Sequence, residues 1–216
     1  MVEIRGKRRA AVLPAAVGGL VPFAVAGLVL SLFPIVYLHV SAIGELSPIA
    51  HTVSDYIFVD HGAGLLAVTA LSLAAASIGL LVTLVRMGLP RRGPVAVLIG
   101  LWSAGLAVAT VFPTDPTGTP TSFSGAVHRY AGAVMFASLP LAGWLISRSF
   151  ISSTTVRRFS VAAGITSVAF MVSHVSVLGP GDGAVLLGLF ERVLFALLYG
   201  LLFSLAAAVL RREVTS

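Results

Sequence analysis

The sequence predicts an all-α protein: a polytopic membrane bundle of six transmembrane helices with both termini cytoplasmic. Three observations carry that expectation. Hydrophobic residues make up 57% of the 216-residue chain and the mean hydropathy is +1.02, outside the range of soluble domains. Apolar runs near the ~20 residues needed to cross hydrocarbon recur along the whole chain. The connections between those runs alternate between arginine-bearing and arginine-free, the pattern that retention of cations on the cytoplasmic side produces. A backbone within lipid must satisfy its own hydrogen bonds, so the runs are helices.

The first span, roughly 14–40, follows a basic tail, 1–12, that carries Arg5, Lys7, Arg8 and Arg9. A basic start and the "AVA" at 24–26 resemble a secretory signal, but the apolar run exceeds the roughly 7–15 residues of a signal core, so the segment reads as a retained span. The second span, 62–85, is followed by Arg86, Arg91 and Arg92, and the third covers 94–113. Arg148, Arg157 and Arg158 separate the fourth, 126–147, from the fifth, 159–178; Arg211 and Arg212 close the sixth, 184–210. The alternate connections, 41–61, 114–125 and 179–183, contain no Lys or Arg. Both termini are therefore expected in the cytoplasm. Pro22, Pro34 and Pro140 fall inside spans, where kinks are tolerated. Gly100 with Ala104, and Ala133 with Ala137, have the small-residue spacing that suits close helix packing.

Spans consume most of the chain, which leaves one transmembrane domain, 1–216, and no separate soluble one. The absence of cysteine removes disulfides, thiolate metal sites, iron–sulfur clusters and covalent haem. Lys7 is the only lysine among fourteen cations, and Ala, Gly and Val abound; the composition points to a GC-rich bacterial genome and the cell membrane. The net charge of +6 does not imply nucleic acid, because the arginines are dispersed between spans without an aromatic–basic module.

The titratable groups gather at the expected outer end. "HTVSDYIFVDHGAG", 51–64, brings His51, Asp55, Asp60 and His61 to the start of span two. His39 ends span one, Asp115 follows span three, His128 and Arg129 begin span four, and His174 ends span five. Glu45, Asp60 and Asp182 in "GPGDG" read as solvated turn residues. Tyr37, Tyr56 and Tyr130 read as interfacial anchors. Glu191 and Arg192 stand apart, about two turns and on the order of 10 Å below the start of span six. An ion at such depth costs roughly 2.5–3.5 kcal/mol on insertion scales and seeks the bundle interior and a partner. Neighbouring helix positions diverge by about 100°, so the two do not satisfy one another fully. Arg129 is the natural partner for Glu191, and Asp115 or Asp55 for Arg192.

His51 and Asp55, four apart, would share one face of a short helix and could bind a divalent metal or act as a base and its orienter. Neither a HExxH motif nor a His-x-x-x-His pair supports a metal, and none is assigned. A haem held between His61, His128 and His174 would be badly exposed at the helix ends. No cofactor is assigned.

Three passages, "ELSPIAHTVSDYIF", "VFPTDPTGTPTSFSGAVHRYAG" and "GLFERVLFALLYGL", resemble the six-span prokaryotic membrane family called domain of unknown function 998. The shared motifs are a Ser-Asp pair, Phe-Pro-x-Asp, Gly-x-x-His and Gly-x-x-Glu-Arg, in order over most of the chain. The resemblance implies six helices and places Ser54, Asp55, Asp115, His128, Glu191 and Arg192 among the family's characteristic polar positions. It implies no reaction, and "VDHGAG" at 59–64 does not map onto it.

The first functional expectation is a polar site at the outer end that binds or modifies a lipid or isoprenoid headgroup. Arg129 and Arg192, with Ser54 and His174, would hold the headgroup, and Asp55, Asp115, His128 and Glu191 would supply acid or base. A small proton-coupled transporter also needs intramembrane ionisable groups, but the inner halves of spans two to five offer almost none. A non-catalytic scaffold or accessory subunit, with purely structural ion pairs, is the third reading.

Overall fold

A computed structural model describes residues 20–177 and 186–215. The basic tail, the first residues of span one, Asp182 and the connection 179–183 lie outside them. The elements are α1 (Leu20–Ser41), a 3-10 turn (Ser54–Phe58), α2 (Gly62–Arg86), α3 (Pro94–Val111), α4 (Phe123–Ser149), α5 (Thr154–Val177) and α6 (Leu187–Thr215). All six helices are long and apolar enough to cross a membrane.

Local chemistry sets the helix ends. Gly88, at φ 105°, follows α2, and the Leu89 N–H returns to the Leu84 carbonyl at 2.9 Å, the closure that a left-handed glycine permits. Pro94 opens α3, where its missing N–H costs nothing. Ser122 caps α4, its hydroxyl accepting from the Gly125 N–H at 3.1 Å. The first residues of the expected sixth span, 184 and 185, lie outside the described residues; from the described start of α6 at Leu187, Glu191 and Arg192 lie about one turn further in.

Consecutive helices pack as antiparallel neighbours. A methyl group added at Gly27 would lie 3.1 Å from the Ala76 Cβ, and one at Gly79 would lie 3.5 Å from the Ala24 Cβ, so α1 and α2 approach almost backbone to backbone. Gly105 does the same for α3 against Ala131 and Met135 of α4. Van der Waals contact of this kind, not release from water, holds helices together in lipid. The small-residue pairs chosen from the sequence are not the ones used. Gly100 has nothing within 4 Å of an added Cβ, and Ala104 and Ala137 are exposed. In a chain so rich in Ala and Gly the spacing recurs by chance, and the neighbour's shape decides which copy packs.

Fully buried Trp102 of α3 donates its indole N–H to Ser77 Oγ of α2 at 2.9 Å, and Ser77 in turn donates to the Leu73 carbonyl. A large apolar side chain and a satisfied polar atom thus join two helices at one point. A second, smaller core of Leu38, Ala42, Val53 and Tyr56 lies at the end where α1 leads into the 42–61 segment. That core folds the segment back over the bundle.

Candidate functional site

The segment between α1 and α2 lies against the first turns of α6. The Leu189 N–H donates to the Ile49 carbonyl at 3.0 Å, and the Val53 N–H donates to Glu191 Oε2. Arg192 completes the seam. Its Nε donates to His39 Nε2 at 3.1 Å, its Nη1 to the carbonyls of His51 at 2.6 Å and Gly188 at 3.0 Å, and its Nη2 to the Tyr56 hydroxyl at 2.8 Å. The guanidinium also sits over the Tyr56 ring, 5.4 Å from its centre. Carbonyl, imidazole and phenol oxygens and nitrogens therefore solvate a charge that was expected to need a carboxylate.

That arrangement corrects several sequence readings. Arg129 does not pair with Glu191; its Nη1 reaches Thr121 Oγ1 at 3.4 Å. Neither Asp115 nor Asp55 serves Arg192. His61 and Asp60 pair with each other instead, 3.4 Å apart and 79% and 93% exposed, so those two are surface groups. His51 and Asp55 do not act together: His51 Nδ1 accepts from the Ser47 N–H at 3.0 Å, and Asp55 Oδ2 accepts from the N–H and hydroxyl of Thr52 at 2.7 and 2.9 Å. Each closes its own turn. Tyr56 is no belt anchor, being 2% exposed and inside the arginine network. Tyr37 and Tyr130 are exposed.

Asp115 likewise builds the scaffold. Its two oxygens accept from the Ser122 N–H at 2.9 Å and the Ser122 hydroxyl at 2.6 Å. Those bonds from Ser122, the hydroxyl foremost, hold its carboxyl below the usual carboxylate range. A Cβ at Gly125 would collide with this carboxylate, which gives glycine a steric reason three residues before His128. The Phe-Pro-x-Asp and Gly-x-x-His motifs are thus one device that clamps the α3–α4 loop and aims His128.

His128 Nδ1 meets the Ala109 and Phe112 carbonyls at 3.1 and 2.9 Å, and its Nε2 meets Ser54 Oγ at 3.0 Å. Carbonyls only accept, so the partners assign the proton to Nδ1 and leave the Nε2 lone pair to the Ser54 hydroxyl. His39 is fixed the same way, Nδ1 on the Ile35 carbonyl at 2.7 Å and Nε2 facing Arg192.

Ser54, His128, Glu191, Arg192 and His39 border one cavity of about 250 Å³ between α1, α2, α3, α4 and α6. Its walls are otherwise mostly apolar and end at Leu73, Met135 and Tyr199, near the midpoints of α2, α4 and α6. Tyr199, bonded to Ser31 Oγ at 2.9 Å, is part of that far end. Glu191 is 4% exposed, and none of the hydrogen bonds found among the described residues reaches its Oε1. Thr69 also lines the cavity, and its buried hydroxyl has no partner among the described residues. Asp55, Asp115, Arg129 and His174 do not line it; His174 packs edge-on against Phe170, 4.9 Å between ring centres, and its buried Nδ1 has no partner among the described residues. Among the described residues no group of three or more His, Asp or Glu could hold a metal ion.

Sequence reasoning missed Val53, Tyr56, Thr69 and Gly188 as parts of the site, and placed His39 at the outer end without giving it a role. Gly188 carried the one available signal, as the first residue of Gly-x-x-Glu-Arg; a Cβ there would overlap the His51 carbonyl.

Six helices, each long and apolar enough to cross a membrane, define a multi-pass membrane protein. Within that class the chain belongs to the family described as "Protein of unknown function (DUF998)", which matches residues 5–208. No curated protein and no solved structure matches it.

Proposed function

We propose that the protein is a cell-membrane protein that binds a single amphiphile, of the lipid or isoprenoid class, at the extracytoplasmic end of its bundle. The observation that carries the reading is the cavity's polarity. Its charged and histidine side chains stand together at the end bordered by Ser54, His128, Glu191 and Arg192, and its deeper walls are mostly apolar, with the hydroxyls of Thr69, Thr110 and Tyr199 as the polar exceptions. A headgroup would meet the former and the first part of a chain the latter. The volume, about 250 Å³, falls just short of the roughly 300–1,000 Å³ of drug-sized pockets, so the rest of a long chain would lie outside. Arg86, Arg148 and Arg212, at the other ends of α2, α4 and α6, support a cytoplasmic assignment for that side. Because the lining stops near the helix midpoints, nothing supports a polar route across, and binding is favoured over transport.

The test is mass spectrometry of organic extracts from protein purified in mild detergent, beside Ala67→Phe, which fills the cavity wall. Wild type should retain one amphiphile class near stoichiometrically, and the variant at least tenfold less at unchanged melting temperature. Equal retention by both, or none above that of an unrelated six-span protein, would leave the scaffold reading. Reporter fusions after residues 45 and 118 should report external positions and those after 90 and 153 cytoplasmic ones. The reverse pattern would overturn the orientation.

A further inference from the structure

We propose that Ser54 and His128 form a nucleophile–base dyad that hydrolyses a carboxylic ester of the amphiphile in the cavity. The inference rests on the amphiphile reading and adds a reaction to it. Three observations carry it. The Ser54 hydroxyl lies 3.0 Å from His128 Nε2, within the reach that general-base activation needs. His128 has its other nitrogen pinned by two backbone carbonyls, at 3.1 and 2.9 Å. These hold the ring in the tautomer whose Nε2 is basic, and they stabilise the imidazolium once it forms, the role a carboxylate has in a catalytic triad. Both side chains line the cavity, so the reacting pair faces the space a ligand would occupy.

Acyl chemistry fits better than phosphoryl chemistry. A phosphoryl group needs cations to take up its charge, whereas every guanidinium nitrogen of Arg192 is already engaged by protein acceptors. An ester carbonyl is neutral and needs a hydrogen-bond donor only as it becomes an oxyanion. The Thr69 hydroxyl on the same cavity, without a partner among the described residues, is a donor of that kind. Glu191, whose Oε2 is held by Val53, orders the strand of chain that leads into Ser54 and is a positioning residue.

The reaction balances with water as co-reactant. Ser54 Oγ bonds to the carbonyl carbon while its proton passes to His128 Nε2. The tetrahedral adduct then breaks its bond to the alcohol oxygen, which leaves with that proton. Water attacks the acyl-serine, His128 takes the water proton and returns it to Ser54 Oγ, and the carboxylic acid departs. No atom changes oxidation state overall.

The test is an alkyl fluorophosphonate, a serine-reactive ester mimic, added to the purified full chain and read by intact mass and peptide mapping. One adduct on Ser54 is expected, absent in Ser54→Ala. His128→Asn keeps a side-chain N–H for the two carbonyls but removes the base, so labelling should slow about 100-fold or more. Unchanged labelling in a folded His128→Asn protein would overturn the dyad. Should that variant fail to fold, Ser54→Cys supplies the chain's sole thiol; alkylation by iodoacetamide well below the ordinary thiol pKa of about 8.5 supports an imidazole partner, and an ordinary profile rejects it. Absence of an adduct on wild type that still retains amphiphile refutes the dyad alone. Absence of both refutes the binding reading too.

Discussion

Two carboxylates of this chain illustrate how place decides what a side chain does. Asp115, in a loop, spends both oxygens on Ser122 and holds the α4 cap. Because its folded-state pKa lies below the unfolded value, its contribution is fully present above the unfolded pKa, near 3.9, and is lost as pH falls through the folded one. The difference in melting temperature between wild type and Asp115→Asn should therefore be flat from about pH 5 to 8 and shrink below about pH 4. A difference that persists unchanged in acid would remove Asp115 from the cap. Glu191, within a span, could be singled out from sequence because a charge at depth demands an interior partner. That partner was not legible: the donor is the Val53 backbone N–H, and backbone groups carry no residue-type signature. Gly188 offers a sharper test. Its missing Cβ makes room for the His51 carbonyl, whereas Gly132 has nothing within 4 Å. Gly188→Ala should cost roughly 1–3 kcal/mol through overpacking, read as lost folded protein on gel filtration, while Gly132→Ala should elute as wild type.

At the scale of elements, the 42–61 segment behaves as a strap laid on α6. Ile49, His51 and Val53 each contribute a backbone group to Leu189, Arg192 or Glu191, and Gly62 lets the strap enter α2 by leaving space for the Tyr56 carbonyl. This accounts for the 59–64 passage that mapped to no motif: its polar residues Asp60 and His61 are exposed, and His61 adopts φ 56° to turn the chain into α2. Glycine, not histidine, was the informative letter there. Glu191→Gln retains an amide oxygen for the Val53 N–H, so the strap should stay protected in hydrogen exchange and the melting temperature should hold. Glu191→Ala removes the acceptor and leaves that N–H buried, a cost of about 1–3 kcal/mol. Faster exchange of amides 52–58 is the expected readout, and equal protection in the Ala variant would show that the strap does not depend on Glu191.

For the whole molecule, helix number and polar-end clustering were legible because hydrocarbon imposes length and apolarity on every span. Which residues form the cavity was less so. Ser54, His128, Glu191 and Arg192 line it, while Asp55, Asp115, Arg129 and His174 support or flank it, because lining depends on helix rotation and on where the strap lands. Tyr56 was misread since one residue type serves both the interface and a buried network. This blind, end-polar cavity is the proposed ligand site. Its most direct test is an electron cryo-microscopy map, near 3 Å, of protein taken from native membranes and bound to a rigid antibody fragment. We expect elongated density in the cavity, its polar end against Ser54, His128 and Glu191 and its tail toward Leu73 and Met135; a cavity closed by its own side chains, or holding water alone, would mean that no amphiphile binds there.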